Sequence, residues 1–223
     1  MNNWYENILK MMIATLAVIY LFLLMTPVHA NEIKGSSTHF TTKAKHILWQ
    51  ELNSQKVDNK YHPEVLCLAE NIYFEARAES YSGKQAVANV TDNRRESDLH
   101  PNTFCGVVKE GPVRESWKTK QDKTLDKSER VYYPRKHRCQ FSWYCDGEKD
   151  TIWVQYMNGT TIDSNNNAWR DSVHIALDTM AQTLYDNTGG ATYYYAHNIV
   201  YPSWAKKFMV TEVIGNHTFM KPN

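Results

Sequence analysis

Little in this chain is lopsided. Lys and Arg number 25 against 24 Asp and Glu, for a formal charge of +1. The strongly basic balance of a dedicated nucleic-acid binder is therefore missing. Seven Pro and nine Gly in 223 residues exclude collagen-like and linker architectures. There is no HExxH, no CxxC, no internal repeat and no low-complexity tract, so the commonest zinc and solenoid signatures are absent. What remains is 42% apolar and 13% aromatic. A chain of this length and composition builds its own core, burying roughly 70% of its unfolded surface.

The longest apolar stretch, Met11 to Met25, follows a polar start with a single Lys10 and leads into Thr26-Pro-Val-His-Ala30. A short n-region, a 15-residue h-region and a small-x-small ending read as a secretory signal peptide over residues 1–30. An uncleaved anchor is the alternative, since the run is only slightly short of the ~17–25 residues that span a bilayer. Either way the expected location is exported, periplasmic or secreted, with no stable membrane association once the leader is removed. Export also sets the redox compartment. Cys67, Cys105, Cys139 and Cys145 are an even set in an oxidising space, which predicts one or two disulfides. All three connectivities remain open, and Cys67 reads equally well as a buried thiol in a helix.

Residues 31–60 read as a flexible lead-in and a first helix over Lys43–Leu52, ahead of one domain over 61–223. Pro63 to Ala78 has Val65, Leu66, Leu68, Ala69, Ile72 and Tyr73 at helical spacing, with Pro63 suited to a first turn. Ser82-Gly-Lys-Gln85 has a capping-box pattern and opens a helix that ends among Arg94, Arg95 and Glu96. Pro101 to Lys109 predicts a helical turn with Phe104, Val107 and Val108 inward. Between Glu110 and Asp150 periodicity vanishes, and Lys109 to Arg138 holds ten basic and five acidic residues. Trp169, Val173, Ala176, Leu177, Met180 and Leu184 form a helical stripe stopped by Gly189-Gly190. Ala191–Ala196 reads as a strand with Phe208–Val213 as its partner. The expected class is α+β, mostly helical, with a small C-terminal sheet.

One residue breaks the pattern of its helix. Leu68, Ile72 and Glu75 fall at i, i+4 and i+7, within ~60° of one another on a 3.6-residue period. A carboxylate is thus aimed along the apolar side. Burial raises a carboxyl pKa by stripping hydration from the charged form, and a Glu still protonated near neutral pH can donate to a leaving oxygen. The plainer reading is a helix-end Glu that snorkels or pairs with Arg77. Glu79, four residues on, is either a second carboxylate or part of the helix exit.

The segment Leu68-Ala-Glu-Asn-Ile-Tyr-Phe-Glu75-Ala-Arg-Ala-Glu79-Ser-Tyr-Ser-Gly83-Lys-Gln85-Ala-Val-Ala resembles the signature of SleB-type cell wall hydrolases. Three further blocks match in order: Pro101-Asn-Thr-Phe-Cys-Gly106, Cys139-Gln-Phe-Ser-Trp-Tyr-Cys145-Asp-Gly147, and Ala196-His-Asn-Ile-Val-Tyr-Pro-Ser-Trp204 with Ile214-Gly-Asn-His-Thr-Phe219. The resemblance implies a lysozyme-like fold of the lytic transglycosylase kind. It also implies cleavage of the bond between N-acetylmuramic acid and N-acetylglucosamine in peptidoglycan, with Glu75 as catalytic acid and no cofactor or metal. Ala78 stands where the family pattern has Gly, and the stretch Gly111–Lys136 is longer than in compact members.

On this reading Gln140 and Ser142 suit sugar amide or hydroxyl contacts, while Tyr194, Tyr195 and Trp204 offer flat faces to pyranose rings. His197 joins them as a substrate-binding candidate. Hydrolysis rather than transglycosylation needs a partner carboxylate, for which Glu79 and Asp146 are the nearest candidates. The expected partner is the glycan strand of the wall and the expected state a monomer, with no nucleic acid. Two rivals stand beside it: an N-acetylmuramoyl-L-alanine amidase working through a metal, and a non-catalytic exported wall-binding domain.

Overall fold

The computed structural model describes residues 39–40, 42–152, 156–157, 161–162 and 164–223. The expected signal peptide and residues 31–38 of the lead-in lie outside the described residues. Among those described, no helix is long and apolar enough to cross a membrane.

Helix α2, His62–Ala76, is the centre of the helical body. It follows α1 (Thr42–Ser54) and a 3-10 turn over Asn59–Tyr61, with Pro63 in its first turn. Val65, Leu68, Ala69 and Ile72 are 0% exposed, and Cys67, Glu70 and Asn71 on its other sides are buried as well. A helix covered nearly all round is one that others pack against. Those others are α3 (Tyr81–Glu96), α4 (Phe104–Val108) and α6 (Ser164–Met180). The shared core takes Ile47 and Leu52 from α1 and Trp169, Val173, Ile175 and Leu177 from α6. Trp169 meets Tyr73 edge-on at 5.9 Å between ring centroids.

Helix α3 is capped two residues before the expected position, at Ser80 rather than Ser82. Ser80 is extended (φ −60°, ψ 168°) and its Oγ accepts the Gly83 N–H at 3.3 Å. Ser82 lies inside the first turn, where its hydroxyl accepts from Asn187 Nδ2 at 3.1 Å. Helix α4 buries Phe104, Val107 and Val108 as the pattern predicts. It is bolted to α2 by the Cys67–Cys105 disulfide. The second disulfide joins Cys139 and Cys145, so each bridge links cysteines successive in the sequence and Cys67 is not a free thiol.

The charged excursion is a hairpin with a short helix inside it. Strands β2 (Val113–Glu115) and β3 (Tyr132–Pro134) pair antiparallel, and α5 (Trp117–Gln121) lies between them. Two-residue strands β1 (His39–Phe40) and β4 (Thr151–Ile152) pair in parallel. Strands β5 (Tyr156–Met157) and β6 (Thr161–Ile162) form another small pair.

Helix α6 ends at Met180, before Leu184 and well before the two glycines. Gln182 takes a left-handed conformation (φ 55°) and donates its N–H to Thr179 O at 3.0 Å, closing the helix without a glycine. Gly189 (φ 65°) and Gly190 (φ 79°) instead form the turn into β7, with Asp186 accepting the N–H groups of Thr188 and Gly190 at 2.8 and 2.7 Å. The C-terminal sheet has three antiparallel strands in the order β7 (Tyr193–Ala196), β9 (His217–Pro222), β8 (Phe208–Ile214). The expected pairing of 191–196 with 208–213 is therefore corrected: β9 lies between them. The class is α+β and predominantly helical.

Candidate active site

Glu75 is the penultimate residue of α2, and its helix is held firmly. Trp143 Nε1 donates to Asn71 Oδ1 at 2.9 Å, and Asn71 Nδ2 donates to Thr91 Oγ1 at 3.0 Å. Phe74 stacks on Trp143 with centroids 4.7 Å apart. The aromatic block around Phe141 and Trp143 thus packs directly on the helix that carries the carboxyl group.

Strand β7 supplies the group that fixes that carboxyl. Tyr194 Oη donates to Glu75 Oε2 at 2.8 Å, across 119 residues of chain. Glu75 is half-buried, which leaves it reachable while still short of water. Burial lifts its carboxyl above the ordinary range; the Tyr194 hydroxyl bond and the Arg94 cation pull the other way without cancelling the effect. Burial and the neighbouring Glu75 charge push the Tyr194 hydroxyl well above its ordinary value. That phenol stays a donor throughout the physiological range.

Arg94 is the residue that sequence reasoning missed. It is 4% exposed, and its guanidinium lies over Phe141 at 4.9 Å and over Tyr193 at 5.8 Å. Its Nε donates to Thr192 O at 2.7 Å, while its Nη1 is buried with no hydrogen-bond partner among the described residues. The signal was available. Val87, Val90 and Arg94 fall at i, i+3 and i+7, the same face argument that singles out Glu75.

Glu79 is already occupied. Asn216 Nδ2 donates to its Oε1 at 2.9 Å and the Asn216 N–H to its Oε2 at 3.3 Å. The contact ties the exit of α2 to the β8–β9 turn. Gly215 (φ +56°) makes room for it: a Cβ there would stand 2.1 Å from Glu79 Oε2. His217, 7% exposed, has Nδ1 3.9 Å from Glu79 Oε1 and meets the Tyr194 ring edge-on at 5.3 Å. Burial holds its imidazole below the ordinary value, opposed by the Glu79 charge and reinforced by His197. A chain of contacts therefore runs from Glu79 through His217 to Tyr194 and Glu75.

The other candidates are spread around this centre. In the β7–β9 register Tyr194 faces Phe219 and Ala196 faces His217, which puts these four on one face of the sheet. Tyr195 falls on the opposite face, packed with Tyr201 and Trp204 at 5.8 and 6.0 Å. His197 is exposed, its Nδ1 within 3.2 Å of Thr218 Oγ1. Gln140 and Ser142 are exposed on either side of buried Phe141. Asp146 accepts the Glu148 N–H at 2.7 Å in a local turn. Among the described residues no three His, Cys, Asp or Glu side chains converge to hold a metal ion.

Residues 78–220 match the family model for cell wall hydrolases. The chain belongs to the Cell Wall Hydrolase family. The matched span is well over half of the sequence. It opens three residues beyond Glu75 and includes Glu79, Arg94, Gln140, Tyr194 and His217. Membership makes the protein an enzyme that degrades peptidoglycan. Two solved structures are similar to it. The catalytic domain of the germination-specific lytic transglycosylase SleB from Bacillus anthracis is 26% identical, with a TM-score of 0.44, and the similarity covers 74% of this chain and 100% of that one. The catalytic domain of the Bacillus cereus SleB protein is 24% identical, with a TM-score of 0.40, covering 74% and 95%. No curated protein matches the sequence.

Proposed function

We propose that this cell wall hydrolase cleaves the glycosidic bond between N-acetylmuramic acid and N-acetylglucosamine, as a lytic transglycosylase with Glu75 as its one catalytic carboxyl. The observation that carries this reading is the Glu75–Tyr194 pair: an acid whose titration burial drives upward, held in one orientation by a phenol that remains protonated. Glu75 gives its proton to the glycosidic oxygen as the C1–O bond breaks, and the bonding electrons leave with that oxygen. Positive charge develops at C1 of the muramic sugar. The sugar's own C6 hydroxyl then attacks C1 and returns its proton to the Glu75 carboxylate, leaving a 1,6-anhydro end and the acid recharged.

This route needs a single protein carboxylate. The two candidates for a second are engaged elsewhere, Glu79 by Asn216 and Asp146 in its own turn, which supports transglycosylation over hydrolysis. The signal-like start at residues 1–30 fits work on a wall outside the cytoplasm. Mass spectrometry of digested sacculi tests the bond and the route together. Muramic ends one water lighter than reducing ends are expected. Reducing ends would favour hydrolysis, and free stem peptides lost on EDTA treatment and restored by zinc would favour the metal amidase.

A further inference from the structure

The segment from Gly111 to Arg138 carries nine Lys and Arg against four Asp and Glu, a net +5 in a chain whose total is +1. It has almost no interior. Neither α5 nor the 3-10 turn over Lys127–Glu129 contains a buried residue, yet two large aromatics are presented to solvent: Trp117 is 73% exposed and Tyr133 42%. A single exposed ring is ordinary, but exposed rings gathered at one groove are the mark of a contact surface. Here they border a groove of about 370 Å³ lined by Arg114, Glu115, Ser116, Trp117, Lys120 and Tyr133.

The groove is shaped by fixed bonds. Arg114 and Tyr133 stand opposite each other in the β2–β3 register and so share a face. The Ser116 N–H donates to Val131 O at 2.7 Å, closing the ladder just before α5. Arg130 Nη1 donates to Glu115 Oε1 at 2.7 Å and its Nη2 to Leu125 O at 3.0 Å. That pair neutralises the one acid in the lining. Arg114 and Lys120 make no ion pair among the described residues, so two cations and two flat rings are left facing the opening.

The hairpin is also rooted beside the proposed acid. At its base the Gln140 N–H donates to Glu110 O at 2.9 Å and the Arg135 N–H to Pro112 O at 2.8 Å. The next residue, Phe141, is the ring over which Arg94 lies. Arg94 in turn acts electrostatically on Glu75, so the hairpin's foot connects through Phe141 and Arg94 to the surroundings of the proposed acid.

We infer that this groove is a second, non-catalytic binding site for the wall, taking a carboxylate-bearing stem peptide of peptidoglycan. Arg114 and Lys120 take the carboxylates, and Trp117 and Tyr133 cover the apolar side of the peptide. Opposite charge favours the encounter and the aromatic faces prolong it. This inference rests on peptidoglycan as substrate but not on the bond that is cut.

The test uses the full chain carrying Glu75→Gln, pelleted with purified sacculi that are either intact or stripped of stem peptides by an amidase. Trp117→Ala and Lys120→Glu are each expected to weaken binding to intact sacculi about tenfold, as tenfold corresponds to the loss of a modest contact. Stripping the peptides should weaken the parent similarly and abolish the difference between parent and variants. Unchanged binding of both variants to intact sacculi would overturn the inference. So would a difference that persists in full on stripped strands, which would make the occupant sugar alone. Neither side chain is buried, so the unfolding midpoint should not move; if one variant does unfold early, Arg114→Glu is read in its place against the same criteria. Soluble fragments released in these tubes would count against Glu75 as the acid and leave the binding comparison intact.

Discussion

Glu75→Gln is expected to lower the rate of sacculus cleavage by about 10²–10⁴-fold, the usual worth of a positioned general acid, while leaving binding to the wall in place. Glutamine keeps the shape and can still accept the Tyr194 hydroxyl, but it has no proton to give. The same substitution should change stability with a definite sign. Burial raises the carboxyl's pKa in the folded protein, so the folded state binds its proton more tightly than the unfolded chain does. Well below the unfolded value of about 4.3 both states are protonated, and the stability difference between parent and variant should not change with pH. As pH rises through the raised folded value the parent must ionise a poorly hydrated group, and its stability falls relative to the variant. Thermal unfolding of both proteins across this range should show the variant gaining on the parent as pH rises. A variant that still shortens glycan strands at the parent rate would remove Glu75 from the chemistry.

The second large effect is expected at Gly215→Ala, far from Glu75 in sequence. Alanine at φ +56° costs about 1–2 kcal/mol for the left-handed conformation. Its Cβ would also come within 2.1 Å of Glu79 Oε2, so the carboxylate must swing away and give up both hydrogen bonds from Asn216. Hydrogen bonds to a charged group are worth about 1.5–3 kcal/mol each, and partial replacement by water brings the expected total to about 3 kcal/mol. Activity should fall as well, because the β8–β9 turn carries His217 against Tyr194, and Tyr194 holds Glu75. A double-mutant cycle separates clash from backbone strain. With Glu79→Ala already present, Gly215→Ala should cost only the conformational part. An equal cost in both backgrounds would mean that Glu79 and the turn are not coupled.

These two positions illustrate what could be read along the chain and what could not. Glu75 was legible because a helical period carries its own geometry, and a carboxylate on the Leu68–Ile72 arc is out of place wherever the helix ends up. Arg94 obeys the same rule on α3, but basic residues in a last turn are so ordinary a helix ending that it passed as one. Glu79 was ambiguous, since nothing local reveals a partner 137 residues away. Strand β9 escaped notice for a different reason. His217, Thr218, Phe219 and Met220 are all buried, as expected of a middle strand covered on both faces, so the alternation that betrays a half-exposed strand is lost. Pro222 at its end further weakens the signal. Helix α6 stops at Met180, short of the expected Leu184, because its closure at Gln182 uses a left-handed residue other than glycine.

The hairpin between Gly111 and Arg138 was recognisable as charged and non-periodic, and no more than that. Its register depends on backbone pairing of Val113–Glu115 with Tyr132–Pro134, strands too short for any pattern to stand out. The exposed faces of Trp117 and Tyr133 become meaningful only once that pairing brings them to one groove.

A carbon-13 NMR titration of the Glu75 carboxyl, assigned by difference against Glu75→Gln, bears most directly on the protonated acid. The predicted result is a midpoint clearly above the ~4.3 of a free glutamate, moving further upward in Tyr194→Phe as the phenol's hydrogen bond to the carboxylate is lost. A midpoint at or below that of a free glutamate would contradict the proposed chemistry.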